Sequence, residues 1–408
     1  MRARFFEGMP REVAVLTAIA FSVAVGFGVV APAIPVYARE FGVGRTAAGA
    51  VISAFAFMRF VSALGSGRLV DRIGERVVLA TGIGIVAVSS ALAGAAQSYD
   101  QLLVLRGLGG VGSAMFTVSA VSLLLRVADA SQRGRATGLW QSGFLLGSIA
   151  GPALGGPLTQ ISVRAPFFVY AGTLAVAGAI GMLFLTRAHL HAKDPAALDH
   201  PTRHTTLPEA LRVSGYRAAL TTNLGTGWAL FGVRSSLIPL FVTEGLGLGN
   251  IWTGIGFFVS AACQGLLLLP AGRLTDSTGR RPAMLIGSAL ATASMLLLAL
   301  VESLPVYVVA MAVFGVGAAF LSVAPSATVG DVVSGRGGTV VAAFGMSADL
   351  GAVVGPLLAG WLADDYSFGA AFGATAGVLL LGLFSTIASK ETRQRPRPEE
   401  PTVPSVAG

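Results

Sequence analysis

Charge is scarce in this 408-residue chain. Charged residues make up 12% of it and hydrophobic residues 54%, whereas a typical soluble domain is about 25% charged. The mean hydropathy is +0.75. A chain with so little polar surface cannot cover itself in water, which excludes a soluble protein and indicates one that lies in a membrane.

Residues for covalent, metal or catalytic chemistry are also few. The single cysteine, Cys263, excludes an intrachain disulfide and a cysteine-based metal site. All four histidines lie in the polar stretch 188–212, where their spacing matches no ligand pattern and prolines interrupt the segment. We therefore predict a solvated linker and no bound metal. The apolar runs contain no Ser/His/Asp set and no soluble sensory domain is attached, so a membrane enzyme or receptor is the least favoured function.

The sequence contains twelve long apolar runs. A transmembrane helix needs about 20 apolar residues, and lipid offers no partner to a free backbone amide, so these runs are predicted to be helices. The first follows Arg2, Arg4 and Arg11 but is too long for a signal peptide, and we interpret it as a retained helix. The runs are 13–38, 47–69, 77–96, 102–125, 136–158, 166–186, 216–243, 252–274, 283–301, 305–329, 339–363 and 367–388.

Basic residues are distributed unevenly between the two sides of these helices. With twelve spans both termini share a side, and that side holds all but six of the 28 Lys and Arg residues. Arg39, Arg45 and Arg164 fall in loops on the opposite side, and the other three fall inside helices. The positive-inside rule therefore predicts cytoplasmic termini and a cytoplasmic linker. It also accounts for the net charge of +8 without nucleic acid as a partner.

A charged segment occurs twice, half a chain apart. Residues 67–76, GRLVDRIGER, reappear as residues 272–281, GRLTDSTGRR, 205 positions later. Each copy ends an apolar run and begins a basic turn, as in a transporter built from two duplicated bundles. The acid in each elbow segment can accept hydrogen bonds from a neighbouring helix N-terminus, which predicts a cytoplasmic gate that closes in one conformation. The gate residues are Gly67, Asp71, Arg72, Gly74, Arg76, Gly272, Asp276, Gly279 and Arg280.

A second repeated motif is rich in small residues. Residues 147–156, GSIAGPALGG, correspond to residues 351–360, GAVVGPLLAG, at an offset of 204. Glycines four residues apart give a helix a flat face for close packing, and the proline kinks it. These helices are therefore predicted to slide or rock along a smooth seam. The packing residues are Gly147, Gly151, Pro152, Gly155, Gly156, Gly355 and Pro356.

Four charged residues are predicted to lie at membrane depth, away from the ends of the helices: Arg59, Arg106, Arg234 and Asp349. Charge at membrane depth is costly and indicates function, and the two halves do not share these charges, so the fold does not require them. A low-dielectric site disfavours an ionised carboxylate, so Asp349 is predicted to load and release the coupling proton, with Arg106 tuning its proton affinity. The alternative is that Asp349 stays ionised against a nearby arginine and is merely structural.

Together these motifs resemble those of the major facilitator superfamily over nearly the whole chain. The resemblance implies an all-α membrane protein with twelve transmembrane helices in two pseudo-symmetric six-helix bundles, working by alternating access. Glu75 departs from the elbow motif, where the family usually has a basic residue. Residues 147–156 resemble the helix 5 motif of the drug:proton antiporter branch. The other matches are Gly67, Leu69, Asp71, Arg72, Gly74 and Arg76 in the elbow motif, and Arg106, Gly110 and Gly112 in the helix 4 motif.

On this resemblance we expect bundles at 1–187 and 213–389, a cytoplasmic linker at 188–212 and a disordered cytoplasmic tail at 390–408. We expect a monomer in the bacterial inner membrane that exports small amphiphilic drugs or metabolites in exchange for protons. It would need no cofactor beyond the proton gradient. The alternative function is an importer or facilitator of a small anionic or zwitterionic metabolite.

The charges inside the helices also bear on the substrate. Three of the charges at membrane depth are arginines and only one is an aspartate. The first helix has no charge between residues 13 and 38. A cation would find little counter-charge, so a neutral, zwitterionic or anionic amphiphile fits better. Aromatic and Met side chains suit apolar ligands. The predicted substrate-binding residues are Arg59, Trp140, Gln141, Phe144, Asn223, Trp228, Phe231 and Arg234, with Phe27, Phe55, Phe344 and Met346 as further candidates.

Overall fold

The computed structural model describes residues 9–128, 132–185, 205–333 and 338–393. The histidines of the predicted linker and residues 394–408 of the predicted tail lie outside these ranges. The described chain forms twelve long helices and no strand. They are α1 (Arg11–Val30, continued by Ala33–Arg39), α2 (Arg45–Ile73), α3 (Glu75–Gly94), α4 (Tyr99–Val127), α5 (Arg133–Ile161), α6 (Ala165–Phe184), α7 (Ser214–Thr226, extended through the π-helical turns Gly227–Val233 and Phe241–Gly245), α8 (Asn250–Thr278), α9 (Arg280–Leu300), α10 (Leu304–Val332), α11 (Gly338–Asp365) and α12 (Phe368–Ile387).

Ten of these helices are long and apolar enough to cross a membrane. The other two are α5, which is rich in glycine and contains two prolines, and α7, in which π-helical turns interrupt the α-helix. Both pack lengthwise against spanning helices, α5 against α1 and α7 against α11. The predicted all-α membrane fold is confirmed.

The two halves of the chain repeat the same packing. In the first half α1 packs on α5 and α6, α2 on α4, and α3 on α4 and α6. In the second half α7 packs on α11 and α12, α8 on α10, and α9 on α10 and α12. The halves meet along two helix pairs, α2 with α11 and α5 with α8. Each half is therefore a six-helix bundle, as the repeated elbow segments predict.

Glycines bring the helices of each bundle into backbone contact. A Cβ added to Gly151 or Gly155 would lie 2.5 Å from a carbonyl oxygen of α1. In the second half a Cβ on Gly351 would lie 2.2 Å from the Leu224 carbonyl oxygen of α7. No side chain fits in these positions. The small-residue motifs of α5 and α11 thus hold α1 and α7 at close range.

The halves touch at one end of the bundle and separate at the other. At the end away from the elbow segments, called the far end, a Cβ on Gly49 of α2 would lie 2.5 Å from the Pro356 carbonyl oxygen of α11. There α5 also meets α8, where a Cβ on Gly156 would lie 3.0 Å from the Gly254 Cα. Toward the elbow segments, Gly65 of α2 has no atom within 4 Å of such a Cβ. The close backbone contacts between the halves named here therefore lie toward the far end.

Gly49→Val is expected to lower the melting temperature, because the backbone atoms it would strike cannot move aside without separating α2 from α11. Overpacking of this kind costs about 1–3 kcal/mol. Gly65→Val is the matched control, since the same side chain enters open space on the same helix. Thermal unfolding of both purified variants checks this. Equal losses would mean that valine in α2, rather than the contact, causes the effect.

Candidate functional site

An ion pair joins the two halves at the middle of the bundle. The Arg59 guanidinium of α2 donates a hydrogen bond through Nη2 to Asp349 Oδ1 of α11. Nearby, the Ser53 hydroxyl donates to the Val353 carbonyl oxygen at 2.7 Å. Arg59 was predicted to bind substrate and Asp349 to carry the proton, and the structure places them in contact. This geometry satisfies both readings of Asp349, as a proton carrier and as a permanently ionised partner.

A small central cavity of about 50 Å³ lies beside this ion pair. Its wall comes from α1, α2, α4, α7 and α11, so both halves contribute to it. Two cations, Arg59 and Arg106, and three aromatic rings line an otherwise apolar surface. The lining residues are Phe27, Ala31, Ile34, Ile52, Phe55, Ala56, Arg59, Arg106, Phe231, Ser235 and Ala352.

Arg106 is a buried cation without a counter-ion. It is 2% exposed, and its Nε has no hydrogen-bond partner. Its guanidinium carbon lies 4.7 Å from the centre of the Phe55 ring, in a cation–π contact. Within the described ranges no carboxylate lies within ion-pair distance of it. Charge at membrane depth is costly, which makes Arg106 a candidate for ligand binding or for a proton-linked role.

Arg234 has similar surroundings but lies away from the cavity. Its guanidinium carbon is 4.7 Å from the Phe257 ring of α8, and its Nη1 donates a weak hydrogen bond of 3.5 Å to Ser260 Oγ. Tyr307 of α10 lies on the same side. The arginine therefore points into the second bundle, and its neighbours Phe231 and Ser235 on α7 face the cavity instead.

The remaining predicted binding residues divide between bundle interior and surface. Trp140 is buried against Phe144, with ring centroids 4.9 Å apart. Trp228 is buried and donates to Thr375 Oγ1 of α12 at 3.3 Å. Asn223 donates to the Phe344 carbonyl oxygen at 2.7 Å and so ties α7 to α11, while Gln141 is exposed. None of the four lines the described cavity, and their binding roles stay predictions.

The far end is closed by a group of polar contacts between the halves, the far-end lock of Arg39, Arg45, Glu244 and Asp364. Arg39 Nε and Arg45 Nε donate to the two oxygens of Glu244 at 2.7 and 2.9 Å. Asp364 of α11 accepts hydrogen bonds from the backbone N–H groups of Arg45 and Thr46 at 2.9 and 2.8 Å. One carboxylate thus caps the N-terminus of α2 from the opposite half, where the helix dipole favours it.

Glu244→Gln is expected to open the far end, because it leaves Arg39 and Arg45 without their acid. Partly exposed pairs contribute about 0.5–1 kcal/mol each, so losing two shifts the equilibrium about tenfold. The change is measured with Ala352→Cys, because Ala352 lines the cavity, in a protein whose own cysteine is removed by Cys263→Ser. An impermeant maleimide added from the far side should label this cysteine faster when the far end opens. Glu40→Gln removes an exposed acid at the same end and serves as the control. An unchanged labelling rate would show that the lock holds nothing closed.

The two elbow segments turn through equivalent glycines. Gly74 and Gly279 end α2 and α8 with φ of +86° and +120°, a region that favours glycine. Past the first turn, Glu75 is buried and pairs with Arg126 of α4 at 2.5 Å. Past the second, Arg280 pairs with Asp331 of α10 at 2.9 Å. Both members of the second pair stand 205 positions after those of the first, with the charges exchanged.

Arg280 makes further contacts within its own half. Its Nη1 donates to Asp276 Oδ1 at 2.9 Å. Glu391, which follows α12, accepts hydrogen bonds from four backbone N–H groups, two of them at the start of α9. Burial alone would raise the pKa of the Glu391 carboxyl, but these four donors hold it below its usual value. The second elbow is thus fastened to its own bundle.

The predicted gate residues do not join the halves in this conformation. Asp71 and Arg72 are exposed, and no hydrogen bond to the Asp71 carboxylate occurs within the part of the chain that the structure describes. Arg76 donates to the Met182 carbonyl oxygen of α6, in its own bundle, at 3.3 Å. A gate between the halves at this end stays a prediction for the other conformation.

Comparisons with known proteins agree with this architecture. The sequence profile of the Major Facilitator Superfamily matches residues 16–263 and 235–407. The chain belongs to this superfamily. Membership implies a multi-pass membrane transporter, and the predicted family is confirmed. No group of three or more His, Cys, Asp or Glu that could hold a metal occurs among the residues with described coordinates.

Several known proteins are similar to this superfamily member. Multidrug resistance protein 1 of Bacillus subtilis (strain 168) is 26% identical over 90% of this chain and 92% of its own length. Quinolone resistance protein NorA of Staphylococcus aureus (strain MRSA252) is 24% identical over 56% of this chain and 57% of its own length. A POT family transporter in complex with 5-aminolevulinic acid superposes with a TM-score of 0.77 at 12% identity, covering 94% of this chain and 96% of that one. A mutant of the nucleoside transporter NupG gives 0.69 at 16%, covering 93% and 99%. The two structures show the fold alone.

The far-end lock is the functional feature that sequence reasoning missed. From the sequence alone, Arg39 and Arg45 are interpreted only as exceptions to the charge asymmetry. A signal was present, because basic residues at the far end of the first half face acids at the far end of the second. Opposite charges on duplicated halves indicate an ion pair between them.

Proposed function

We propose that this transporter exports small amphiphilic compounds in exchange for protons by alternating access. The observation that carries the proposal is the ion pair between Arg59 of α2 and Asp349 of α11, which joins the two bundles beside the cavity. A proton on Asp349 would remove its charge and, with it, the Coulomb attraction between the bundles at this depth. One carboxylate would thus link protonation to movement of the bundles.

The two ends of the molecule supply the rest of the cycle. With the far-end lock formed and the elbow ends apart, the cavity can load from the elbow end. The distribution of Lys and Arg supports a cytoplasmic position for that end. Protonation of Asp349 and rupture of the lock would belong to the opposite conformation, which releases the compound outside. Protons would then enter as the compound leaves.

The relatives support the class of cargo. One is named for multidrug resistance and another for quinolone resistance, and the aromatic wall of the cavity suits apolar ring systems. We further propose a monomer in the bacterial plasma membrane, with both termini cytoplasmic and no cofactor beyond the proton gradient. The boundaries 1–187, 188–212, 213–389 and 390–408 belong to this proposal.

Proteoliposomes that contain the full chain and an acidic lumen test the exchange. Norfloxacin and ethidium are added outside, and both compound accumulation and lumenal pH are followed. Exchange predicts that accumulation of at least one compound is coupled to proton efflux, and that a protonophore abolishes both. Movement of compound and proton in the same direction, or accumulation that survives the protonophore, would contradict it.

A second candidate function is uptake of a small anionic or zwitterionic metabolite. The observation that favours it is the buried, unpaired Arg106 at the cavity wall. An importer would move its substrate together with protons or down its own gradient. The direction of flux under the imposed pH gradient separates the two functions.

A further inference from the structure

The charges around the central cavity do not balance. Arg59 and Arg106 line the cavity. Among the described residues, the carboxylate next to the cavity is that of Asp349, which already forms an ion pair with Arg59. Arg106 is left 2% exposed with an unpartnered Nε, and its guanidinium lies over the face of the Phe55 ring. The titratable group next to it on α6 is Tyr170, a phenol that is neutral at physiological pH. Together these groups give the site one net positive charge.

A guanidinium that lacks an acceptor in an apolar cavity is a ready site for a carboxylate. The aromatic side chains of Phe27, Phe55 and Phe231 surround it from both halves. A ligand that fits must present an anionic group to Arg106 and an apolar, preferably aromatic, body to these rings. A plain monocation would instead meet two arginines.

The same charges decide whether an anion alone would suffice. A bare carboxylate between Arg59 and Asp349 would compete with Asp349 for Arg59, and the displaced Asp349 would favour the protonated form. Anion and proton would then bind together, which opposes exchange. A ligand that also carries an ammonium group can replace Arg59 as the partner of Asp349 while its carboxylate neutralises the arginines. A proton on Asp349 then competes with that ligand, as exchange requires.

We propose that the central cavity selects amphiphilic zwitterions, in which the carboxylate is held by Arg106, with Arg59 beside it, and the ammonium by Asp349. This inference rests on the proposed function and names its substrate class. Ser235 adds a hydroxyl to the same wall. Asp349 is not itself among the lining residues, but its partner Arg59 lines the cavity, and so does Ala352, three residues further along α11.

Binding of three related probes to the full chain in nanodiscs tests the proposal. Norfloxacin carries a carboxylate and a basic amine, its ethyl ester lacks the anion, and nalidixic acid lacks the basic amine. The wild type is expected to bind norfloxacin at least about tenfold more tightly than either analogue, a factor that corresponds to one good charged contact. Equal affinities for the three probes in the wild type would overturn the zwitterion site without reference to any variant.

Variants then assign the two ends of the ligand. Arg106→Gln is expected to weaken norfloxacin binding about tenfold and to erase its advantage over the ester, and Arg106→Lys, which keeps the charge, should retain part of it. Asp349→Asn is expected to erase the advantage over nalidixic acid. Arg164→Gln, which removes an exposed arginine that stacks on Tyr37 outside the cavity, should change nothing. An Arg106→Gln protein that still prefers norfloxacin to its ester by the wild-type factor would overturn the assignment of Arg106.

The inference and the proposed function fail in different experiments. Proton exchange that is driven equally by ethidium, norfloxacin and the ester would preserve the exporter and remove the zwitterion site. If norfloxacin binds selectively but moves in the same direction as the protons, the carboxylate site would be supported and the proposed export by proton exchange would be wrong. The probe affinities decide the first question and the direction of proton flux decides the second.

Discussion

Asp349→Asn is expected to abolish proton-driven accumulation while leaving exchange of compound for compound intact. Asparagine keeps the size of the side chain and can still accept a hydrogen bond from Arg59, but it cannot bind and release a proton. Uphill transport should fall at least about tenfold, equivalent to about 1.4 kcal/mol of lost coupling. Compound counterflow without a pH gradient should persist at saturating concentrations of the compound, because it then needs only movement of the loaded bundles and does not depend on the binding contact that Asp349 contributes. Proteoliposome flux assays with and without the gradient measure both.

Asp365→Asn is the matched control, because Asp365 lies on the same helix at its exposed end. The double variant Arg59→Gln/Asp349→Asn distinguishes the two readings of Asp349. If the carboxylate only neutralises Arg59, removal of both charges should restore driven transport, as in a double-mutant cycle with strong coupling. If it carries the proton, the double variant should remain uncoupled. Retained uphill transport in Asp349→Asn alone would move coupling to another acid, with Asp71 the next candidate.

The helices and elbows could be predicted from the sequence because their signals are local. An apolar run must be a helix in lipid whatever surrounds it, and Gly74 and Gly279 mark the turns through a backbone conformation that favours glycine. The repeat at 205 positions then predicts two equivalent bundles. These inferences need no knowledge of which helix lies beside which.

The directions in which the side chains of α7 point could not be predicted from such local signals. Trp228, Phe231 and Arg234 are spaced three apart, and on an α-helix residues at this spacing share a face. The π-helical turn over Gly227–Val233 has more residues per turn than an α-helix, so residues three apart no longer point to the same side. Only Phe231 reaches the cavity, while Trp228 bonds to α12 and Arg234 packs on α8. Contacts between halves, such as Glu244 with Arg39, depend on the register of the packed bundles. The sequence could therefore indicate opposite charges at the far end but not which residues pair there.

The exchanged charges at the elbows explain the departure from the family motif. Glu75 stands where a basic residue is usual, and the sequence alone predicts a weaker latch there. The structure shows that Arg126 supplies the basic partner from α4, just as Asp331 of α10 supplies the acidic partner of Arg280. Each bundle keeps one ion pair between the start of its third helix and the end of its fourth. We therefore expect these positions to need an ion pair, whichever of the two residues carries the positive charge.

Glu75→Arg is therefore expected to destabilise the first bundle strongly, and Glu75→Arg/Arg126→Glu to recover most of the loss. The single change sets two guanidinium groups against each other at a site where position 75 is only 2% exposed. Breaking a buried pair costs about 3–5 kcal/mol, and since Arg126 is about half exposed we expect roughly 2 kcal/mol after solvent screening. The double variant gives the first half the same polarity as Arg280 and Asp331 in the second. Arg68→Glu, a reversal at an exposed elbow residue, is the control. Thermal unfolding of the four proteins decides the question: if the double variant melts no higher than Glu75→Arg, the two positions do not act as an exchangeable pair.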